Sequence, residues 1–195
     1  MKAGRWLAVI VIPALAACGG TARAPEGTAI AEDAPYEVVS EAALEPGALV
    51  PEPVGEEILT ISGEIGTTND RGRLAFDMAT LESLGLVSYD VEDPWDQKEV
   101  TYTGVLMSEL LAVAGAASDA RSVRIVALDD YRVSIPIDEI HRWPVLLATR
   151  ADGEVIGVES GGPSRIIYPY GTFPEIDGVT HDDLWIWSVE RMTIR

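Results

Sequence analysis

The chain has a single cysteine, Cys18, and this scarcity limits how the rest of the chain can be held together. No disulfide can form within the chain. Because no cysteine follows position 18, the rest of the chain has no thiolate to ligate a metal or act as a nucleophile. The folded part must therefore be stabilised by a hydrophobic core. About 140 residues after position 55 are enough to bury one such core in one domain.

The N-terminal segment, residues 1–17, has the pattern of an export signal. Lys2 and Arg5 precede an apolar run, Trp6–Ala17, which is shorter than the ~20 residues needed to span a bilayer. The run ends in Leu15–Cys18, and this sequence resembles a bacterial lipobox. The pattern predicts that Cys18 becomes a lipidated N-terminus, the alternative being an ordinary signal with a chance cysteine. The residue after the cysteine is Gly19 rather than an aspartate, and this sequence resembles that of lipoproteins sent to the outer membrane.

Residues 18–55 are expected to form an acidic tether between the lipid and the domain. They are rich in Ala, Gly, Glu and Pro, and ordering them would cost backbone entropy with little apolar burial in return. The prolines of this segment are Pro25, Pro35, Pro46, Pro51 and Pro53. The protein is therefore expected at the periplasmic face of the cell envelope, anchored only through Cys18.

The charge balance excludes one class of partner. The formal net charge is −18, with 32 acidic and 14 basic residues, and no basic stripe interrupts the acidic pattern. A nucleic-acid backbone would be repelled. An anionic membrane surface would be repelled as well, which leaves the lipid as the only membrane contact.

Residues 56–195 are predicted to form an α+β domain with mainly β structure in mixed sheets. Alternating apolar residues and turn signals separate many short strands. The predicted strands are Ile58–Ile65, Leu86–Val91, Glu99–Thr103, Val123–Leu128, Tyr131–Ile135, Val145–Thr149 and Trp185–Ile194. The predicted helices run from Asp77 to Leu84, from Val105 to Ala114 and briefly from Pro136 to His141.

One stretch, Gly161–Gly171, combines a sharp turn with a charged residue. Two glycines and Pro163 make the turn, and Arg165 follows at the start of a short apolar strand. A guanidinium held in this way can donate two parallel hydrogen bonds to a phosphate or carboxylate. We expect the C-terminal half of the domain to be organised around this turn.

Five segments together resemble the molybdopterin-binding oxidoreductase domain, which has the sulfite-oxidase-type fold. Thr103–Gly115 is similar to its Gly-Val-x-x-x-x-Leu-Leu-x-x-x-Gly segment, and Asp130–Pro136 to its Asp-Gly-Tyr-x-x-x-Ile-Pro strand. Leu146–Gly153 resembles its hairpin, and Gly161–Pro169 its Gly-Gly-Pro-x-Arg-x-x-x-Pro cofactor loop. Trp185–Ile194 occupies the place of its closing strand. The similarity covers nearly the whole domain in the same order, and it implies that fold.

The departures from the family pattern concern the metal. Catalytic members ligate molybdenum with a cysteine, and the matching stretch here, Val87–Trp95, has none. Ser88 or Asp90 could offer oxygen, but neither is an equivalent ligand. The basic residue expected before the final tryptophan is also missing, since Trp185–Trp187 stands there. The resemblance thus implies a branch of the family that kept the fold and lost the metal-ligating thiolate. Molybdopterin is a possible cofactor by resemblance only.

Eight residues are the candidates for ligand or cofactor contact. They are Arg165, Gly162, Ser164, Tyr168, Tyr170, Arg132, His181 and Trp95. Each has a structural alternative. Arg165 could form a surface salt bridge, Arg132 could be solvated, and the aromatic residues could be core packing. His181 could act as an acid or base, or ligate a metal with Asp182, but a closed metal site is not expected because the only other histidine, His141, lies in another segment.

Three functions remain open at this point. The first is a non-catalytic module that binds a small anionic or pterin-like ligand, or a periplasmic sensor or redox partner. The second is an oxidoreductase that holds a molybdenum or tungsten pterin without a cysteine ligand. The third is a structural or interaction lipoprotein. The sequence does not decide whether the protein is an enzyme.

Overall fold

Two β-sheets form the framework of the domain in the computed structural model, which describes residues 34–95, 97–176 and 179–195. The predicted signal and Cys18 lie outside the described residues. The strands, in chain order, are β1 (Glu37–Ser40), β2 (Leu59–Gly63), β3 (Leu74–Phe76), β4 (Leu86–Glu92), β5 (Glu99–Leu106), β6 (Ser122–Ala127), β7 (Arg132–Pro136), β8 (Leu146–Ala151), β9 (Glu154–Val155), β10 (Arg165–Ile167) and β11 (Val189–Ile194).

The two sheets differ in strand order and direction. The first runs β1-β4-β5-β8-β10, with β9 paired to β8, and all its pairs are antiparallel. The second runs β3-β2-β11-β6-β7, and its β2–β11 pair is parallel while its other pairs are antiparallel. The second sheet is therefore mixed, as the sequence analysis predicts.

Four short helices connect the strands of the described residues. They are α1 (Met78–Glu82), α2 (Met107–Ala114), α3 (Ile137–Arg142) and α4 (Val179–Asp182). The predicted cap of α1 is confirmed, because the Asp77 carboxylate accepts a hydrogen bond from the Thr80 amide at 2.8 Å. Gly115 ends α2 with a left-handed φ of +64°. Within residues 34–95, 97–176 and 179–195, every helix is too short to span a bilayer.

A single apolar core joins both sheets. Leu59 and Ile61 from β2, Val105 from β5 and Leu147 from β8 are all fully buried in one cluster. The inner face of α2 adds Leu110 to the same cluster. The predicted α+β class with a mainly β core is confirmed.

The segment before position 56 differs from the predicted tether. β1 pairs with β4, so part of residues 18–55 belongs to the first sheet. Val50 is only 7% exposed, and the amides of Val54 and Gly55 donate to the Asp77 carboxylate at 2.9 and 2.8 Å. The sequence did not show this because β1 is held by backbone hydrogen bonds while all four of its residues are exposed.

Among the predicted boundaries that differ from the structure, the starts of α2 and of the closing strand have a clear physical reason. α2 begins at Met107 because Val105 and Leu106 continue the β5 ladder against Leu147 and Leu146. The closing strand begins at Val189 rather than Trp185. Ser188 interrupts the extended chain with a φ of +55°, a backbone conformation that L residues seldom adopt.

Candidate functional site

A cavity of about 370 Å³ in the described residues is lined mainly by aromatic and apolar side chains. We call it the aromatic pocket. Its lining comes from the end of β6 and from four connections, β4–β5, β6–β7, β9–β10 and β10–β11: Trp95, Ala127, Leu128, Asp129, Tyr131, Val158, Trp185, Trp187 and Ser188. Pockets of this size, lined mainly by apolar and aromatic side chains, commonly hold small molecules.

Local hydrogen bonds position the walls of the pocket. Trp95 lies in the turn between β4 and β5, where its amide donates to the Asp93 carboxylate at 2.9 Å. Tyr131 follows β6, and its hydroxyl donates to the Asp183 carbonyl at 3.3 Å. The Ser188 amide donates to the Gly161 carbonyl at 2.8 Å and so fixes the segment that precedes β11.

Three tryptophan rings meet at the pocket. The centroid of Trp95 lies 5.5 Å from that of Trp185 and 5.7 Å from that of Trp187, with interplanar angles of 57° and 70°. Trp185 is 4% exposed and forms the floor, whereas Trp95 and Trp187 are 48% and 41% exposed. Tilted and edge-on pairs of this kind are favourable, so the rings hold one another in place. They present aromatic surface to solvent.

Arg165 supports this wall from outside the pocket. Its guanidinium carbon lies 4.7 Å from the Trp187 ring centroid, in a cation–π contact. Nη1 donates to the Tyr102 hydroxyl at 3.2 Å, and Nη2 donates to the Ser160 carbonyl. Two of the three guanidinium nitrogens are thus engaged by the protein, and Arg165 does not line the cavity. Nε has no hydrogen-bond partner among the described residues, and the predicted contact with an anion stays a prediction.

The hydrogen bonds of Arg165 continue into the interior. The Tyr102 hydroxyl donates to the Asp93 carboxylate at 3.1 Å, and both residues are almost fully buried. Burial raises the pKa of Tyr102 to about 12, even though the positive charge of Arg165 acts in the opposite direction. The phenol is therefore neutral under ordinary conditions and links the arginine to the aspartate.

This raised pKa predicts an alkaline loss of stability. The folded state holds the Tyr102 proton more tightly than the unfolded state, where the ordinary pKa is 10.0. The contribution of this proton to the free energy of unfolding is complete below pH 10, and it is lost as the pH rises towards 12. We expect the free energy of unfolding, measured in urea between pH 9 and 11.5, to fall less steeply for Tyr102→Phe than for the wild type. Equal slopes for the two proteins would contradict the assignment.

The glycine turn of the predicted cofactor loop is packed inside the protein. A Cβ on Gly162 would lie 1.9 Å from the Ile156 carbonyl oxygen, and the Gly162 amide donates to the Gly157 carbonyl at 2.9 Å. Ser164 is fully buried. Neither Gly162 nor Ser164 lines the aromatic pocket, and both are packed against protein atoms.

Tyr168 and His181 lie on the side of α3 and α4, and the Tyr170 ring, whose centroid is 5.2 Å from that of Trp185, lies between them and the pocket floor. The His181 Nε2 lies 3.2 Å from the Glu139 Oε1, and the Tyr168 and His181 rings are 5.6 Å apart. The Tyr170 hydroxyl donates to the Asp182 carboxylate at 2.9 Å. Burial raises the pKa of Tyr168 well above its ordinary value, and the Glu139 carboxylate raises it further. His181 and Glu139 line a separate cavity of about 320 Å³.

The last two candidates, Arg132 and Trp95, differ in whether they line the aromatic pocket. Arg132 is exposed, as its solvated alternative expects, and its guanidinium also pairs with Asp130 at 3.3 Å. Of the eight candidates, Trp95 alone lines the aromatic pocket. Trp185, Trp187 and Tyr131 were missed as site residues, although the repeated tryptophans at 185 and 187 were a usable signal. In the parts of the chain that the structure describes, no group of three or more His, Cys, Asp or Glu side chains could hold a metal ion.

The comparisons with known proteins agree with the architecture. Residues 87–173 match the family described as the oxidoreductase molybdopterin binding domain. The crystal structure of the sulfane dehydrogenase SoxCD from Paracoccus pantotrophus is similar in fold, with a TM-score of 0.54 and 21% sequence identity. The match covers 70% of this chain and 37% of that chain. No sequence among the curated proteins matches the chain.

The matched residues contain most of the first sheet together with β6, β7, α2 and α3. They include Trp95, Asp129 and Tyr131 of the aromatic pocket and the Gly161–Pro169 turn. Residues 87–173 of this chain are therefore similar to the oxidoreductase molybdopterin binding domain, and the fold of the domain agrees with that similarity.

Proposed function

We propose that the protein is an exported, lipid-anchored binding module that takes a small, flat, pterin-like ligand into the aromatic pocket and does not use it for molybdenum redox chemistry. The observation that carries the proposal is the meeting of Trp95, Trp185 and Trp187 at one cavity. Flat heterocycles stack on such rings, and each stacked ring contributes about 1–3 kcal/mol. The export and anchoring rest on the sequence pattern around Cys18.

The residues present do not fit a thiolate-bound molybdenum cofactor. The family stretch that carries the metal cysteine corresponds to Val87–Trp95, which has no cysteine. Ser88 is buried in β4, and the Asp90 carboxylate accepts a hydrogen bond from the Thr101 hydroxyl. Neither lines the aromatic pocket, so we assign no redox step to this protein.

The pocket also favours a pterin-like ring over a free anion. Its lining contains one charged residue, Asp129, and that charge is negative. The nearest guanidinium described above, that of Arg165, is stacked behind Trp187 and donates to protein oxygens. A free phosphate or carboxylate would therefore meet a like charge without a cation to offset it.

One feature of the pocket is accounted for by a bound ring. Leu128 and Val158 are 50% and 63% exposed beside the tryptophans, which makes an apolar surface for a ligand to cover.

The test is a fluorescence titration of the protein with pterin. Trp95→Ala removes one wall of the pocket, and we expect it to weaken pterin binding about 10-fold or more, the equivalent of one stacked ring. Trp143→Ala is the matched control, because Trp143 packs on Phe173 away from the pocket and should leave the affinity unchanged. Absence of pterin binding to the wild type, or equal affinities for Trp95→Ala and the wild type, would overturn the proposal.

The second candidate is an oxidoreductase that holds a metal pterin through other ligands. The family match over residues 87–173 favours it. Elemental and pterin analysis of the protein purified through its own export pathway separates the two proposals. Near-stoichiometric molybdenum or tungsten with pterin would replace our proposal with the oxidoreductase. If the purified protein contains neither metal nor pterin, the oxidoreductase is ruled out.

A further inference from the structure

We infer that the aromatic pocket selects a small organic cation, namely a planar heteroaromatic ring that carries a positive charge. The inference rests on the proposed function, because it names the ligand class for the same pocket. Three observations carry it: the isolated carboxylate at the pocket, the unused aromatic faces beside it and the charge of the whole protein.

The carboxylate of Asp129 is placed at the pocket without a cation to neutralise it. Its Oδ1 accepts a hydrogen bond from the Tyr131 amide at 3.0 Å, which orients the side chain. No ion pair of Asp129 occurs among the described residues. The neighbouring Asp130, by contrast, lies 3.3 Å from Arg132 and 3.6 Å from Arg191. Two adjacent acids thus have different surroundings, and the unpaired one lines the cavity.

The aromatic surfaces are of the kind that attract cations. Tryptophan binds cations best among the aromatic side chains because of the negative face of its ring. Trp187 already makes this contact with the Arg165 guanidinium at 4.7 Å. Trp95 and Tyr131 are each 48% exposed, and in the described parts of the chain no arginine or lysine stacks on either ring. Their faces are available to a ligand.

The positive charge of Arg165 does not oppose such a ligand strongly. Arg165 is linked through the Tyr102 hydroxyl to the buried Asp93 carboxylate, so a negative charge lies behind it. The chain as a whole carries a net charge of −18, and a field of this sign raises the local concentration of cations. Local and global charge therefore favour the same ligand class.

A matched pair of probes tests the inference by calorimetry. Nicotinamide is neutral, and 1-methylnicotinamide is nearly the same ring with a fixed positive charge. We expect the cation to bind about 10-fold more tightly, as a desolvated cation–π contact predicts. The preference should weaken when salt is raised from 50 to 500 mM, because screening reduces exposed charge interactions.

The variant Asp129→Asn keeps the shape of the side chain and removes its charge. We expect it to reduce the preference for 1-methylnicotinamide several-fold, while Asp119→Asn, at an exposed turn outside the pocket, leaves it unchanged. If pterin binds in a Trp95-dependent way and the two nicotinamides bind equally, the cation inference fails and the proposed function stands. If neither pterin nor either nicotinamide binds, both fail.

Discussion

Replacing Asp77 with alanine is expected to lower the free energy of unfolding by about 2–3 kcal/mol, the sum of a lost N-cap and lost charge-assisted hydrogen bonds. One carboxylate oxygen accepts from the Thr80 amide at 2.8 Å, and the other accepts from Val54 and Gly55 at 2.9 and 2.8 Å. The side chain is 6% exposed. Asp77 thus starts α1 and holds the N-terminal segment against the domain.

The same hydrogen bonds give this contribution a pH dependence. They stabilise the charged carboxylate, chiefly through the Gly55 amide, and hold the pKa of Asp77 well below its ordinary value of 3.8. The unfolded chain therefore takes up this proton first as the pH falls. The stabilisation is present above pH 4 and declines below it. The difference between wild type and Asp77→Ala in urea unfolding should be full at pH 6 and smaller at pH 3.

The control for this experiment is Asp119→Ala, which removes an exposed aspartate from a turn. Exposed positions of this kind usually change stability by less than about 0.5 kcal/mol. Equal unfolding free energies for Asp77→Ala and Asp119→Ala would show that the hydrogen bonds of the Asp77 carboxylate contribute nothing to stability. A pH-independent loss would instead show that the Asp77 pKa is not depressed.

Local patterns were enough to predict much of the fold. β4 and β5 follow from alternation and from the turn at Pro94, and α1 follows from the aspartate at its start. These elements depend on neighbours within a few residues. The family resemblance then gave the order of five segments, and the match over residues 87–173 includes all of them except Trp185–Ile194.

Elements that depend on distant partners were predicted less well. β1 has no burial pattern of its own, because it is an edge strand whose four residues are all exposed. Trp187 fits an alternating strand in the sequence, but the positive φ of Ser188 separates it from β11. Nothing in the local sequence shows that the Ser188 amide will meet the Gly161 carbonyl.

The aromatic pocket could not be assembled from sequence spacing for the same reason. Trp95, Tyr131 and Trp187 come from three separate connections, and only the packing of the two sheets brings them together. The glycine–arginine motif attracted attention because it is compact in the sequence. In the structure this motif builds the back of the pocket wall, while the aromatic residues provide its surface.

Gly162 allows this structural view of the motif to be tested, because its replacement by alanine is expected to cost about 3 kcal/mol or more. The new Cβ would lie 1.9 Å from the Ile156 oxygen and 2.9 Å from the Gly157 oxygen, and backbone atoms cannot rotate away as a side chain can. The melting temperature should fall by roughly 6–12 °C for a domain of this size.

Gly157→Ala is the matched control, since its Cβ would meet no atom within 4 Å in the same loop and its φ of −71° suits any residue. We expect its melting temperature to stay within about 2 °C of the wild type, which corresponds to a surface substitution. If the role of the glycine turn is to pack against the protein, Gly162→Ala loses stability and ligand binding together. A high concentration of ligand then restores part of both. If Gly162→Ala instead melts like Gly157→Ala and loses ligand binding, the turn itself contacts the ligand. The predicted role of Gly162 in cofactor binding would then replace the packing role assigned here.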